Sequence, residues 1–408
     1  MINLLQMRSR LIYHLSAILF TLFAVQHVSA QKVNVKKQFG NAANQVSYML
    51  SVIDSLQLNG AAKDLVVPRS VEKNKLKMVK AQDWTSGFFP GELWFLYEFT
   101  GNKKWLAPAR KFTATIEAQK FYSGTHDLGF MIYCSFGNGY RLTGDTGYKA
   151  VIIQAAKTLS TRFNPVAGVI KSWDFTSESK WKFPVIIDNM MNLEMLFEAT
   201  KLTGDSSFYH IAVTHANTTI KNHFRADNSS YHVIDYDPET GAVRQKITAQ
   251  GFSDSSAWAR GQAWGLYGFT MCYRETKNTV YLQQAEKIAS YILGRLPAGK
   301  IPYWDYDAPG IPNEPMDASA AAITASALYE LSTYTDKPGY RKTADELLEK
   351  LCAGYLSPVN QNNGFILLHS TGHKPAKSEI DVPLIYADYY FMESLMRSKR
   401  LKKGKSLF

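Results

Sequence analysis

Cysteine is scarce: the chain of 408 residues has three, Cys134, Cys272 and Cys352. Each lies inside an apolar helical pattern, and the number is odd. They read as buried free thiols and exclude a disulfide framework as the source of stability. Beyond residue 30 no stretch approaches the roughly 20 uninterrupted apolar residues that a membrane span needs. No Pro/Gly/Ser-rich linker interrupts the chain, which argues for one domain over residues 31–408. No histidine pair at i, i+4 stands with a third ligand in view, so no metal site is expected. Acids are outnumbered, 35 against 46 lysines and arginines, for a formal charge of +11.

The first thirty residues have the pattern of a secretion signal. Arg8 and Arg10 precede the apolar "LSAILFTLFAV", and "VSA" before Gln31 has the small residues of a cleavage site. No cysteine follows closely, so a lipid anchor is not indicated. An exported, periplasmic chain is expected, with neither membrane insertion nor nucleic acid as a partner. Without the leader the charge is +9, which suits an acidic polysaccharide. The densest basic run, "RSKRLKKGKSLF", reads as a short solvated tail.

An imperfect phrase returns along the chain. It appears as "LYEFTGNKKWLAPARKF" from Leu96, "GYRLTGDTGYKAVIIQAAKTL" from Gly139 and "LFEATKLTGDSSFYHIAVTHA" from Leu196. Weaker copies start at Cys272 and Leu328. Each is a helix end, a tight polar turn and a new amphipathic helix. Gly101, Gly144 and Gly204 suit left-handed C-caps, and Asp145 and Asp205 suit the next N-terminus. Periodicity predicts twelve helices, near 41–57, 86–100, 103–119, 127–143, 146–161, 188–203, 206–223, 257–276, 279–296, 317–335, 338–355 and 383–398. Strand signals are confined to loops. Six hairpins predict an all-α fold, a closed (α/α)6 toroid, because an open stack would leave apolar end faces.

Short and long connections alternate, so the long ones share one end of the ring. That end also gathers six helix N-termini, whose partial positive charge favours an anion. The unusual residues cluster there: Trp84, His126, Asp127, Trp173, Asp188, His232, Gln250, Trp258, Arg260, Trp264, Ser370, His373 and Asp381. Singly, each has a plain explanation. Asp127 and Asp188 could be N-caps, the tryptophans core, Arg260 a partner of Asp254, and the histidines satisfied interior groups. Together they point to a saccharide site. Indole faces stack on sugar rings, and an arginine fork holds a carboxylate. Two acids in a partly dry pocket cannot both ionise cheaply, so one keeps its proton beside a carboxylate.

The motifs "THDLGFM", "DNMMNLEML", "YHVIDYDPETG", "TAQGFSDSSAWARGQAWGLYGF" and "IDVPLIYADYYFMESL" resemble, in order from about Asp83 to Leu395, those of the unsaturated glucuronyl hydrolases, glycoside hydrolase family 88. The resemblance implies an (α/α)6 barrel needing no cofactor. It implies release of a 4,5-unsaturated uronic acid from lyase-generated oligosaccharides of chondroitin, hyaluronan or heparin type, by hydration of the enol ether. Asp188 would protonate C4 and activate the water that adds to C5, and Asp127 would tune it. Substrate-binding residues would be Trp84, His126, Trp173, His232, Gln250, Arg260, Trp264 and Ser370.

The loop "LLHSTGHKPAKSEID" stays open. Its Lys374 and Lys377 motivate an expectation that it accepts a sulfated disaccharide. Rival readings are an unsaturated rhamnogalacturonyl hydrolase acting on pectin fragments, another glycosidase or epimerase on the same toroid, and a non-catalytic glycan-binding protein.

Overall fold

The computed structural model describes residues 33–60, 63–175 and 180–408; the expected leader lies outside the described residues. Among the described residues twelve α-helices alternate between an inner and an outer ring. They are α1 (Val35–Leu58), α2 (Phe88–Thr100), α3 (Leu106–Thr115), α4 (Asn138–Thr143), α5 (Thr146–Ser160), α6 (Leu193–Thr203), α7 (Ser206–Asn222), α8 (Ala259–Thr276), α9 (Thr279–Arg295), α10 (Ala318–Leu331), α11 (Pro338–Gly354) and α12 (Ile385–Lys402). The even-numbered helices form the inner ring. Each packs on the next, with a π-helical segment, Gly129–Gly137, standing in for α4, and α12 closes back onto α2. This closure makes the (α/α)6 barrel expected from the repeats.

Burial follows position. Every residue of α10, "ASAAAITASALYEL", is buried, so no polar face remains. The outer α9 instead buries Tyr281, Gln284, Ala285, Ile288, Ala289 and Ile292, one stripe at helical spacing. The repeated turns follow the expected chemistry. Gly101, Gly144 and Gly204 take left-handed C-cap conformations. Asp145 and Asp205 cap the following helices by accepting the Gly147 and Ser207 N–H groups, at 2.9 and 2.8 Å. The weaker copies improvise: Lys277 takes the left-handed cap, and Pro338 opens α11.

Three expected helices are interrupted. The 103–119 segment breaks into a 3₁₀ turn, α3 and a second 3₁₀ segment, Glu117–Phe121. The 127–143 segment is π-helical before α4, where a Cβ on Gly129 would stand 2.6 Å from Asn192 Cα. The 188–203 segment opens as a 3₁₀ helix, Ile187–Asn192.

The basic C-terminal run is solvated in part, with residues 402–406 exposed, but it is anchored on either side of them. α12 carries it to Lys402, Leu407 is buried, and the Phe408 ring lies under the guanidinium groups of Arg274 and Arg397, 4.1 and 5.3 Å away. Arg400 binds Glu98 and the Leu407 carbonyl. The cysteines are free thiols; Cys272 is buried, and Cys134 and Cys352 are partly so. No described helix is long and apolar enough to cross a membrane.

The strands decorate the long connections. β1 (Val67–Glu72) and β2 (Lys75–Val79) form a hairpin before α2; β3 (Phe163–Asn164) and β4 (Val169–Ile170) form another. β5 (Pro184–Ile186), β6 (Val233–Tyr236) and β7 (Val243–Ile247) make an antiparallel sheet. This last sheet positions the site.

Candidate active site

Pro184, Val185 and Ile186 are fully or nearly fully buried, and they form a strand instead of opening a helix. β5 pairs with β6 in the register Ile186↔Val233, and the Ile187 N–H donates to the His232 carbonyl at 3.1 Å. Asp188 and His232 are thereby set side by side. On the other edge of β5, the Ser172 N–H donates to Pro184 O, and the Ile186 N–H to Ser172 Oγ, both at 2.9 Å. Ser172 O in turn accepts the His126 N–H at 2.9 Å, and Thr125 bridges to Trp173. Past β7, the Ala249 and Gln250 N–H groups donate to His232 Nδ1. These hydrogen bonds therefore lace together three long connections, 122–128, 161–187 and 223–258, that are remote in sequence.

These loops enclose a cavity of about 250 Å³ lined by Trp84, Trp173, Asp127, Asp188, His232 and Arg260, with His126, Gln250 and His373 beside them. Asp188 is 8% exposed, and its Oδ2 has no hydrogen-bond partner among the described residues. Burial, then the Asp127 charge, push its carboxyl up to about 7, against the weaker pull of Arg260, its own backbone and the Trp264 indole. Neither acid is a side-chain cap: the helical segments after both lack a side-chain cap bond. Asp127 Oδ2 instead accepts the Thr125 hydroxyl at 2.9 Å, and His126 Nε2 lies 3.2 Å from its Oδ1. Burial, outweighing the Asp127 charge, holds the His126 imidazole below its usual range.

Arg260 does not pair with Asp254. Its Nη1 donates to Asp317 at 3.1 Å and to the Thr371 carbonyl, and its Nη2 to the Gly372 carbonyl, both at 2.6 Å. The guanidinium is stacked between Trp258 and Tyr386, at 4.5 and 5.3 Å. A pairing 57 residues apart in sequence leaves no local signal. Part of the fork is thus committed to the last loop, and its charge favours the ionised form of Asp188.

Two expected lining residues fall outside the cavity. Trp264 is fully buried beneath it, against Phe130 and Tyr390 at 5.1 and 5.3 Å, and acts on Asp188 from below. Ser370 is buried in its pairing with Val382; the loop reaches the site through the Thr371 and Gly372 carbonyls. Lys374 is engaged by Glu314 and lies over Trp304. Sequence reasoning missed Tyr386, which packs on Trp84 at 5.0 Å, and Ser172, the hinge of the lacing. Tyr386 lies inside a quoted motif, but its aromatic run reads as ordinary helix core.

Residues 62–399 match the family described as Glycosyl Hydrolase Family 88. The chain is 47% identical over 376 residues to an unsaturated glucuronyl hydrolase of Formosa agariphila, covering 91% of this chain and 92% of that protein. It is 31% identical over 370 residues to an unsaturated chondroitin disaccharide hydrolase of Streptococcus pneumoniae, covering 89% and 92%. A crystal structure of an unsaturated glucuronyl hydrolase specific for heparin aligns with a TM-score of 0.85 at 45% identity, over 91% of this chain and 99% of that one. Likeness of this extent, in sequence and in three dimensions, runs through both the barrel and its loop-bearing end. The chain belongs to glycosyl hydrolase family 88 and is a glycosidase.

Proposed function

We propose that the chain removes the 4,5-unsaturated uronic acid from the non-reducing end of glycosaminoglycan fragments by hydrating its C4=C5 bond. The observation that carries this reading is Asp188, a buried carboxyl pushed up to about 7 beside a second acid in an aromatic cavity. At neutral pH it holds a proton in a substantial fraction of molecules, as a general acid must. The proton passes to C4, leaving positive charge shared by C5 and the ring oxygen. Water adds to C5 and returns a proton to the Asp188 carboxylate. The resulting hemiketal opens to a C5 ketone; the hemiacetal left at C1 collapses to an aldehyde and expels the neighbouring sugar. No glycosidic bond is displaced directly, so the separation of the two acids does not set a stereochemical outcome.

Asp127 keeps Asp188 protonated and orients the sugar hydroxyls with His126. Trp84 and Trp173 are the aromatic walls, and Gln250 positions the sugar or the water. Arg260 supplies positive charge for the uronate. The conjugated double bond absorbs in the ultraviolet, and its loss reports turnover. Wild type is expected to bleach it, while Asp188→Asn binds substrate without bleaching. Normal turnover by that variant refutes the assignment. Unsaturated chondroitin, heparin and rhamnogalacturonan disaccharides, compared side by side, separate this reading from pectin processing, and bleaching confined to the last would overturn the glycosaminoglycan reading.

A further inference from the structure

Three buried polar atoms at the cavity floor lack a hydrogen-bond partner among the described residues: Asp188 Oδ2, His232 Nε2 and Trp264 Nε1. Burying such atoms unpaired is costly, so three at one place require a reason. They are neighbours. His232 Nε2 stands 3.9 Å from Asp188 Oδ2, just beyond hydrogen-bond range. The Trp264 indole N–H lies near enough to Asp188 to favour its ionised form.

The backbone decides which imidazole nitrogen carries hydrogen. His232 Nδ1 accepts the Ala249 and Gln250 N–H groups, at 3.0 and 3.1 Å. A nitrogen that accepts carries no hydrogen of its own, so the neutral ring holds its proton on Nε2. Two donors at Nδ1 also oppose a second proton there. Burial and the Arg260 charge act the same way, holding the ring well below its usual range. Trp258 packs on the ring at 4.6 Å. His232 is therefore a donor aimed at Asp188, not a base.

We propose that His232, its tautomer locked by the Ala249 and Gln250 backbone, forms with Trp264 a two-donor cradle that receives the Asp188 carboxylate as its proton leaves. The inference rests on the reading of Asp188 as the proton donor. When the O–H bond breaks, its electron pair stays on the carboxylate and the proton goes to C4. The Nε2–H and Nε1–H then close on the new anion, and they relax when water returns a proton. Neither donor gives up hydrogen; both are positioning residues, acting through Asp188. They contribute most when the anion forms, which is where catalytic stabilisation counts.

The titratable groups that act on Asp188 are Asp127 and Arg260; those that act on His232 are Arg260, His373, His223 and His126. In the free enzyme, ¹⁵N spectra are expected to show His232 as the Nε2–H tautomer, uncharged at neutral pH. The Asp188 carboxyl, followed by ¹³C, titrates higher in His232→Leu and in Trp264→Phe than in wild type. In turnover, His232→Leu lowers kcat roughly 100-fold with little change in KM, and moves the alkaline limb of kcat/KM upward. His232→Gln, whose amide N–H can replace Nε2–H, recovers roughly tenfold of that loss. An Nδ1–H tautomer, a protonated ring near neutrality, an unmoved carboxyl pKa in both variants, or a Gln variant no better than Leu each overturns the cradle. If wild type hydrates no unsaturated uronide, the proposed function falls instead, and the free-enzyme spectra still judge the cradle.

Discussion

Asp188 couples chemistry to stability. Its carboxyl, ordinarily 3.8, is pushed up to about 7 in the fold. Between those values the native state holds a proton that the unfolded chain has released, so stability falls as pH rises through that window. Above it the buried carboxylate costs about 4 kcal/mol. Asp188→Asn is therefore expected to raise the thermal midpoint at about pH 8 and to leave it level with wild type at about pH 4. Glu92 and Asp388 are also buried acids held above their usual range, so only the difference between variant and wild type isolates position 188. A variant no more stable at the higher pH contradicts this account. The proposed mechanism needs the protonated acid, so it predicts that kcat/KM declines as pH climbs past about 7. Removing the Asp127 charge drops the Asp188 pKa, and Asp127→Asn should carry that decline toward lower pH, as a pH–rate profile can show.

Among the elements, the π-helix Gly129–Gly137 bears the closest approach. A Cβ on Gly87, at the head of α2, would lie 2.1 Å from the Phe130 carbonyl oxygen and 2.3 Å from that of Met131. Both are backbone atoms with no room to yield. Gly87→Ala should destabilise the fold by about 3 kcal/mol or more, visible as a lowered denaturant midpoint; an unchanged midpoint would show that α2 can shift. The helices themselves were legible, because outer helices such as α9 carry one apolar stripe and the glycine turns repeat. The π segment Gly129–Gly137 and the 3₁₀ segment Ile187–Asn192 were not, since they arise where inner helices crowd one another, as Gly129 does Asn192. The acids, Trp84, Trp173 and His232 stood out as unusual residue types in long loops. Asp317 did not, because its partner is Arg260 on another helix. Neither did Ser172, whose part is played by its backbone and hydroxyl.

The whole molecule separates chemistry from anchoring. Leu407 and Phe408 pack among Arg274, Arg397 and Arg400, residues that do not line the site cavity. Deleting residues 406–408 should cost about 2–3 kcal/mol of stability, from lost apolar burial and cation–π contact, while leaving KM unchanged. Chemical unfolding and steady-state kinetics on the shortened chain check both halves, and a raised KM would refute the separation. The last loop behaves differently, because its Thr371 and Gly372 carbonyls grip the guanidinium whose charge acts on Asp188. Exchanging residues 368–381 for those of a relative should therefore also shift the Asp188 carboxyl. The conformation of that loop and the acidity of Asp188 are geared to one another through the Arg260 guanidinium.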